Sequence, residues 1–392
     1  MEISMFDGFN GFLIASLSVI TSLSVARIFV TETHLSPIKG RSESIDGLRG
    51  FLALMVFLHH SSFWWQYIHT GVWSDPDSLF YTNIGKIAVI FFFMITGFLF
   101  FGKLISNKSV NWEDLFWSRI MRLTPMYLVS LSLLFIIVFY VSDWKINTGI
   151  ANLIISMARW VPFSFLGMPD VNGLHKTSLI MAGVPWSLVY EWFFYLSLPF
   201  MAFIMRRDKF NTYTILSIAS VFAFIFYPSL KIHILSFVFG YLAAKINHKL
   251  PNGLPFNKIL SSLFVIVILC VTCFLIPNPY NPITISLCGI AFILISNGCD
   301  IFGVLKIKTC QVFGEATYSM YLLHGIILFI TFKIILPVSH VNQINSLVFS
   351  AIIIILSGFI TLISLLCFRY IETPCSKFKK FNVLTYTRRK LQ

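Results

Sequence analysis

An arginine and a histidine eleven residues apart in an otherwise apolar stretch are the residues best placed for chemistry in this chain. The run Ser44-Ile45-Asp46-Gly47-Leu48-Arg49 leads into residues 50–58 and ends on His59-His60. Eleven helical steps of about 100° end roughly 20° beyond three full turns, so Arg49 and His60 share one helix face about 16 Å apart and His59 points elsewhere. A guanidinium binds phosphate through paired hydrogen bonds, and an imidazole, titrating near neutral pH, can take a proton from a hydroxyl. If the helix crosses a bilayer, Arg49 stands at one interface and His60 near mid-depth, where a polar group is costly enough to point to function. Asp46, one turn before Arg49, can fix its rotamer.

Other polar residues fall into the same frame. Counted from the side that Arg49 faces, His324 lies about ten residues into its helix, as His60 does, so both reach roughly 15 Å deep. Glu191 enters from the opposite side, about seven residues into its span, and a lone buried carboxylate must be neutralised or paired. Arg119 and Arg122, three apart on one helical face, join Arg49 at the mouths of two helices. The plainer reading of such arginines is an ordinary basic flank of a membrane span, and of His60 a packing histidine bonded to a nearby carbonyl.

The elements that must carry these residues are membrane helices. Of 392 residues 57% are hydrophobic and 11% charged, and the mean hydropathy of +0.82 excludes a soluble globular fold. The pattern predicts an all-α polytopic membrane protein with eleven spans, at about 9–30, 51–68, 84–102, 123–141, 183–205, 210–227, 231–246, 259–276, 282–297, 315–336 and 346–369. Placing Lys39 and Arg41 in the cytoplasm puts Lys103, Lys108, Arg119, Arg122, Arg206, Arg207, Lys209, Lys245, Lys249, Lys306, Lys308 and the basic tail on the same side, which satisfies the positive-inside rule. The net charge of +13 is then a matter of topology and anionic lipid, not of a nucleic-acid partner. The front end carries Glu2 and Asp7 and no Lys or Arg, so the first span reads as an uncleaved anchor with its N-terminus outside. Arg159, Pro162 and Pro169 interrupt residues 150–168, which reads as an outer-face or re-entrant segment. Cys270-Val-Thr-Cys273 has metal-like spacing without flanking ligands, so no metal site is expected.

In this order the motifs resemble the membrane acyltransferase-3 family. They are Asp46-Gly-Leu-Arg49 with His60; Phe91-Phe-Phe-Met-Ile-Thr-Gly97-Phe; Arg119-Ile-Met-Arg122-Leu-Thr-Pro125; Pro185-Trp186-Ser187-Leu-Val-Tyr-Glu191; Phe239-Gly240; Gly314-Glu-Ala-Thr-Tyr318-Ser319-Met-Tyr321-Leu-Leu-His324; and Glu372-Thr-Pro374. The resemblance divides the chain into an extension with one extra transmembrane helix (1–44), a ten-helix membrane acyltransferase domain (45–375) and a basic cytoplasmic tail (376–392). The resemblance is to members expected to work without the hydrolase-like domain that many relatives carry after the last helix.

The resemblance implies transfer of an acyl group, most often acetyl, from cytoplasmic acetyl-CoA to a hydroxyl of a lipid-linked or surface glycan such as O-antigen, in the bacterial inner membrane. CoA is a donor substrate here, and no bound cofactor is expected. On this reading His60 is the general base with Glu191 orienting it, and Arg49, Arg119 and Arg122, with Asp46, receive the CoA phosphates. Trp186 is either an interfacial anchor or a sugar-stacking platform, with Ser187 beside it. Tyr318 either supplies a hydroxyl to an oxyanion or bridges helices, and His324 supports the site from the same helix. Gly97 and Gly240 permit close helix approach. The competing class is a proton-coupled transporter that uses the intramembrane His and Glu as a relay.

Overall fold

The computed structural model describes residues 8–30, 42–106, 110–206, 211–225, 231–336 and 344–378. Lys39, Arg41, Lys108, Arg207 and Lys209, the acidic front end with Glu2 and Asp7, and the tail beyond 378 lie outside the described residues. The helices are α1 (Gly8–Ile28), α2 (Glu43–Thr70), α3 (Leu79–Ser106), α4 (Trp112–Val141), α5 (Ile150–Trp160), α6 (Trp186–Arg206), α7 (Thr212–Ile225), α8 (Lys231–Lys249), α9 (Lys258–Phe274), α10 (Pro282–Ser296), α11 (Lys308–Glu315), α12 (Thr317–Phe329) and α13 (Ser346–Cys367). Two of them run on as π-helical turns, α12 through Ile330–Ile335 and α13 through Phe368–Glu372. The eleven expected spans coincide with α1 to α4, α6 to α10, α12 and α13, which bears out the all-α polytopic fold. Six helices among the described residues are long and apolar enough to cross a membrane.

Local sequence sets several helix starts. Asn111, Asn257, Asn281 and Asn345 each accept backbone N–H bonds from the first turn of α4, α9, α10 and α13, satisfying donors a helix start leaves open. Helix α2 begins at Glu43, eight residues before the span expected from hydropathy, so Asp46 and Arg49 stand inside the helix. It stops at Gly71, whose left-handed backbone (φ 73°) lets its N–H return to the Tyr67 carbonyl. The interrupted stretch 150–168 is resolved as α5, an eleven-residue helix of about 16 Å that is too short to cross a bilayer. It is fastened to α4, because the Tyr127 hydroxyl donates to the Trp160 carbonyl at 2.7 Å.

Helices α2, α3, α8 and α12 form the centre, and small residues let their backbones meet. A Cβ on Gly240 would stand 2.4 Å from the Met94 carbonyl oxygen and 2.9 Å from Gly97 Cα, so α3 and α8 touch backbone to backbone there. At the end of α2 that carries Arg49, a Cβ on Gly314 of α11 would collide with the Asp46 carbonyl oxygen at 1.8 Å. Helix α1 is tied into the bundle: the Ser22 hydroxyl donates to the Ser357 carbonyl at 3.1 Å, and the Tyr81 hydroxyl donates to the Gly11 carbonyl at 2.8 Å.

Because the α3–α8 contact has no room for a side chain, Gly240→Val should destabilise the purified protein by about 2 kcal/mol or more. Gly102→Ala, where nothing lies within 4 Å, should leave melting unchanged. Thermal unfolding in detergent checks both.

Candidate active site

A cavity of about 120 Å³ opens among α2, α3, α4, α6 and α12. Its polar wall is Arg49, Arg119, Arg122, Glu191, Tyr195 and Tyr318. The apolar wall comes mainly from α3, with Val89, Phe92, Phe93, Leu99 and Phe100, and Ser187 and Tyr321 also line the space. Six sequence-predicted residues thus meet in one space: Arg49, Arg119, Arg122, Ser187, Glu191 and Tyr318. Asp46, His60, Trp186 and His324 do not line it.

The charges come as two systems. The Tyr195 hydroxyl donates to Glu191 Oε1 one turn along α6. Tyr195 also bonds to Arg119, which feels the Glu191 charge and lies over the Phe100 ring at 5.3 Å. In the second system the Ser319 hydroxyl donates to Glu372 Oε1, and Arg122 and Arg49 act electrostatically on that carboxylate. Lys103, exposed at the end of α3, adds a further positive charge facing Arg119 and Arg122. Tyr318 resolves its two readings in favour of bridging, since its hydroxyl donates to the Leu123 carbonyl of α4 at 2.8 Å while its ring lines the cavity.

The histidines form a separate group. His60 Nδ1 lies 3.0 Å from the Val56 carbonyl oxygen and 3.0 Å from His324 Nε2, and His324 Nδ1 lies 3.1 Å from the Met320 carbonyl oxygen. Carbonyl oxygens only accept, so in the neutral rings both Nδ1 atoms carry the proton, His324 Nε2 is an acceptor, and the free lone pair of His60 is on Nε2. His59 likewise donates Nδ1–H to the Tyr81 carbonyl, at 2.8 Å, and faces away as the helix geometry predicts. The expected pairing of Glu191 with His60 is corrected here. His60 pairs with His324, because Tyr195 on Glu191's own helix supplies the nearer partner for that carboxylate.

Tyr321 separates the two groups. It lines the cavity one turn before His324, its ring 6.0 Å from the His324 ring. Its hydroxyl donates to the Val184 carbonyl at 3.2 Å and lies 2.7 Å from the Ser187 hydroxyl. Trp186 is packed against Phe93, Tyr190 and His233. Lys86 pairs with Asp75 at 3.1 Å, and His175 is an exposed loop residue 3.5 Å from Asp170. Among the described residues no group of three or more His, Cys, Asp or Glu is arranged to hold a metal. Tyr195 is not singled out from the sequence, and Tyr321 and Glu372 stand in the quoted motifs without an assigned role. The first two are legible as the i+4 partner of Glu191 and the i−3 neighbour of His324.

With this geometry in place the comparisons have a structural meaning. The family model described as "Acyltransferase domain" matches residues 42–369, which carry the cavity, its three arginines and the histidine pair, while Glu372 lies just beyond the matched range. The chain belongs to the acyltransferase-3 family. It is 28% identical over 178 residues to Nodulation protein 10 of Rhizobium leguminosarum bv. viciae, covering 43% of this chain and 47% of that protein. It is 27% identical over 173 residues to Acyltransferase MdmB of Streptomyces mycarofaciens, covering 43% of this chain and 41% of that one. The chain therefore spans less than half the length of the curated relatives it matches. No solved structure matches.

The family cavity gives one prediction about its own wall. Tyr195→Phe leaves the half-buried Glu191–Arg119 system without its linking hydroxyl, a loss worth about 1–3 kcal/mol. The variant should melt lower than the parent in detergent, and Tyr140→Phe, at an exposed hydroxyl, should not.

Proposed function

We propose that this acyltransferase-3 protein moves an acyl group, acetyl in the first instance, from cytoplasmic acyl-CoA to a hydroxyl of a lipid-linked or cell-surface glycan such as O-antigen. It would do so as a multi-pass protein of a bacterial inner membrane, with its N-terminus outside and C-terminus inside. The observation that carries the reading is the cavity itself: three guanidinium groups and a tyrosine–serine hydroxyl pair line one space, and the ring of that tyrosine lies 6.0 Å from the ring of His324, the partner of His60. Arginine forks suit the phosphates of CoA, and the apolar wall suits its uncharged arm and thioester. The printed name of Acyltransferase MdmB points to the same reaction class.

The chemistry balances without a further reactant. His60 Nε2 takes the proton of the acceptor hydroxyl as its oxygen bonds to the thioester carbonyl carbon. The tetrahedral centre collapses, the C–S bond breaks, and the departing thiolate takes the proton from His60, leaving ester and free CoA. His324 accepts from His60 Nδ1–H and steadies the ring while it is charged. Glu191 acts through Tyr195 on Arg119, on the donor side. Trp186 and Ser187, at the start of α6, support the acceptor side, and Tyr318 holds α12 to α4.

Purified protein incubated with radiolabelled acetyl-CoA and candidate glycans tests the reading. His60→Gln should lower turnover by about 100-fold or more, and Arg49→Gln with Arg122→Gln should raise the donor KM. A protein that shows no CoA dependence but moves protons across liposomes is a transporter using the histidine pair as a relay, and the acyl-transfer reading falls.

A further inference from the structure

Glu372 is a carboxylate with 4% exposure, well inside the protein and outside the lining of the cavity. It ends the π-helical turn Phe368–Glu372. The wider turn changes the face on which the residues after Cys367 emerge, and such turns recur at functional sites. Glu372 Oε1 accepts from the Ser319 hydroxyl of α12. The neighbouring Tyr318 is bonded to the Leu123 carbonyl, and Leu123 follows Arg122 in α4. Arg122 and Arg49 are the cations that act on the Glu372 carboxylate. One buried acidic group, held by a hydroxyl of α12, therefore acts electrostatically on two of the three cavity arginines.

We propose that Glu372 is the positioning residue of the donor site: fixed by Ser319, it holds Arg49 and Arg122 in the orientation that receives the donor's phosphates. The inference rests on the acyl-CoA reading above. Without the shared carboxylate the two guanidinium side chains lose a common counter-charge and spread over more orientations, and only the fraction of molecules with both forks directed into the cavity would bind. Affinity scales with that competent fraction, so a drop in its population to about one tenth weakens binding about tenfold. Glu372 touches no reacting atom, so turnover at saturating donor should hardly change.

The full chain in detergent, with acetyl-CoA as probe, gives the test by calorimetric binding and by steady-state kinetics. Glu372→Gln keeps an acceptor for Ser319 and removes the charge. It should raise the Kd for acetyl-CoA about tenfold and raise the donor KM in parallel, with kcat within about threefold of the parent. Glu372→Asp should recover most of the affinity. Ser319→Ala frees the carboxylate without removing it and should weaken binding by a smaller factor that adds little to Glu372→Gln in the double variant. Should Glu372→Gln fail to fold, Ser319→Ala alone decides, and an unchanged Kd there overturns the proposal. Parent-like affinity in Glu372→Gln, or a loss confined to kcat, overturns it as well. If the parent protein binds no acetyl-CoA, the donor reading fails and this inference with it. If the parent binds and Arg49→Gln abolishes binding while Glu372→Gln does not weaken it, this inference alone is lost.

Discussion

Three guanidinium groups around one mostly apolar cavity set the terms for the rest of the structure. Two like charges about 8 Å apart repel by roughly 2 kcal/mol at an effective dielectric of 20, and each also loses hydration on burial. Arg49, Arg119 and Arg122 can stand together only if anions are brought to them. The fold brings two carboxylates from different helices, Glu191 on α6 and Glu372 beyond α13, and each is gripped by a hydroxyl, from Tyr195 and Ser319. Arg119 is drawn to the first and Arg49 and Arg122 to the second. Convergence of α2, α4, α6, α12 and α13 at one end of the bundle is thus an electrostatic requirement as well as a packing one. Three cations against two carboxylates leave the cavity with a positive balance, the sign an anionic ligand needs.

The same helices carry a second polar layer further along. Helix α2 holds Arg49 and, three turns on, His60; α12 holds Tyr318, Tyr321 and His324; α6 begins with Trp186 and Ser187 before reaching Glu191. Between the layers there is no simple apolar plug. The Tyr321 and Ser187 hydroxyls, both in the cavity lining, meet at 2.7 Å, and the Tyr321 ring lies 6.0 Å from the His324 ring. Such a contact can open without exposing an unsatisfied polar group, because each hydroxyl can rotate to the Val184 carbonyl, 3.2 Å from Tyr321 and 3.3 Å from Ser187. A thioester that reached this point would have hydroxyls beside it and imidazoles just beyond.

Much of this could be read from the chain because membrane helices report their own axial coordinate. Each of the eleven stretches picked out by hydropathy coincides with a helix, and counting along the helices places His60 and His324 at one depth, where they prove to be bonded. Counting gives depth and the face of a single helix, but it does not say which helices are neighbours. For that reason Glu191 was matched to His60 across the membrane, whereas a tyrosine four residues away on the same helix had the shorter path to it. Glu372 escaped for a different reason. Hydropathy ended the last span at 369, and the π-helical turn that follows carries Glu372 back into the protein, which no 3.6-residue periodicity anticipates. His233, in the first turn of α8, is enclosed by the rings of Phe93, Trp186, Tyr190 and Tyr280, an outcome of tertiary packing with no local signature.

The tautomers decide how the histidine pair can work. In many base-catalysed sites a carboxylate behind the imidazole fixes its orientation and stabilises its cation. Here the fixing atom is the Val56 carbonyl on the same helix, which orients His60 but brings no negative charge, and the partner beyond is the neutral acceptor His324 Nε2. A proton arriving at His60 Nε2 is therefore spread over two rings and two backbone carbonyls, and it gains less than an ion pair would give. Such a site favours a proton that stays briefly. Acyl transfer from a thioester has that character, since the thiolate that leaves in the next step is itself the proton's destination. The carboxylates then have a reason to lie on the arginine side: placed behind His60 they would hold the proton longer, and placed among the guanidinium groups they allow those charges to be gathered at all.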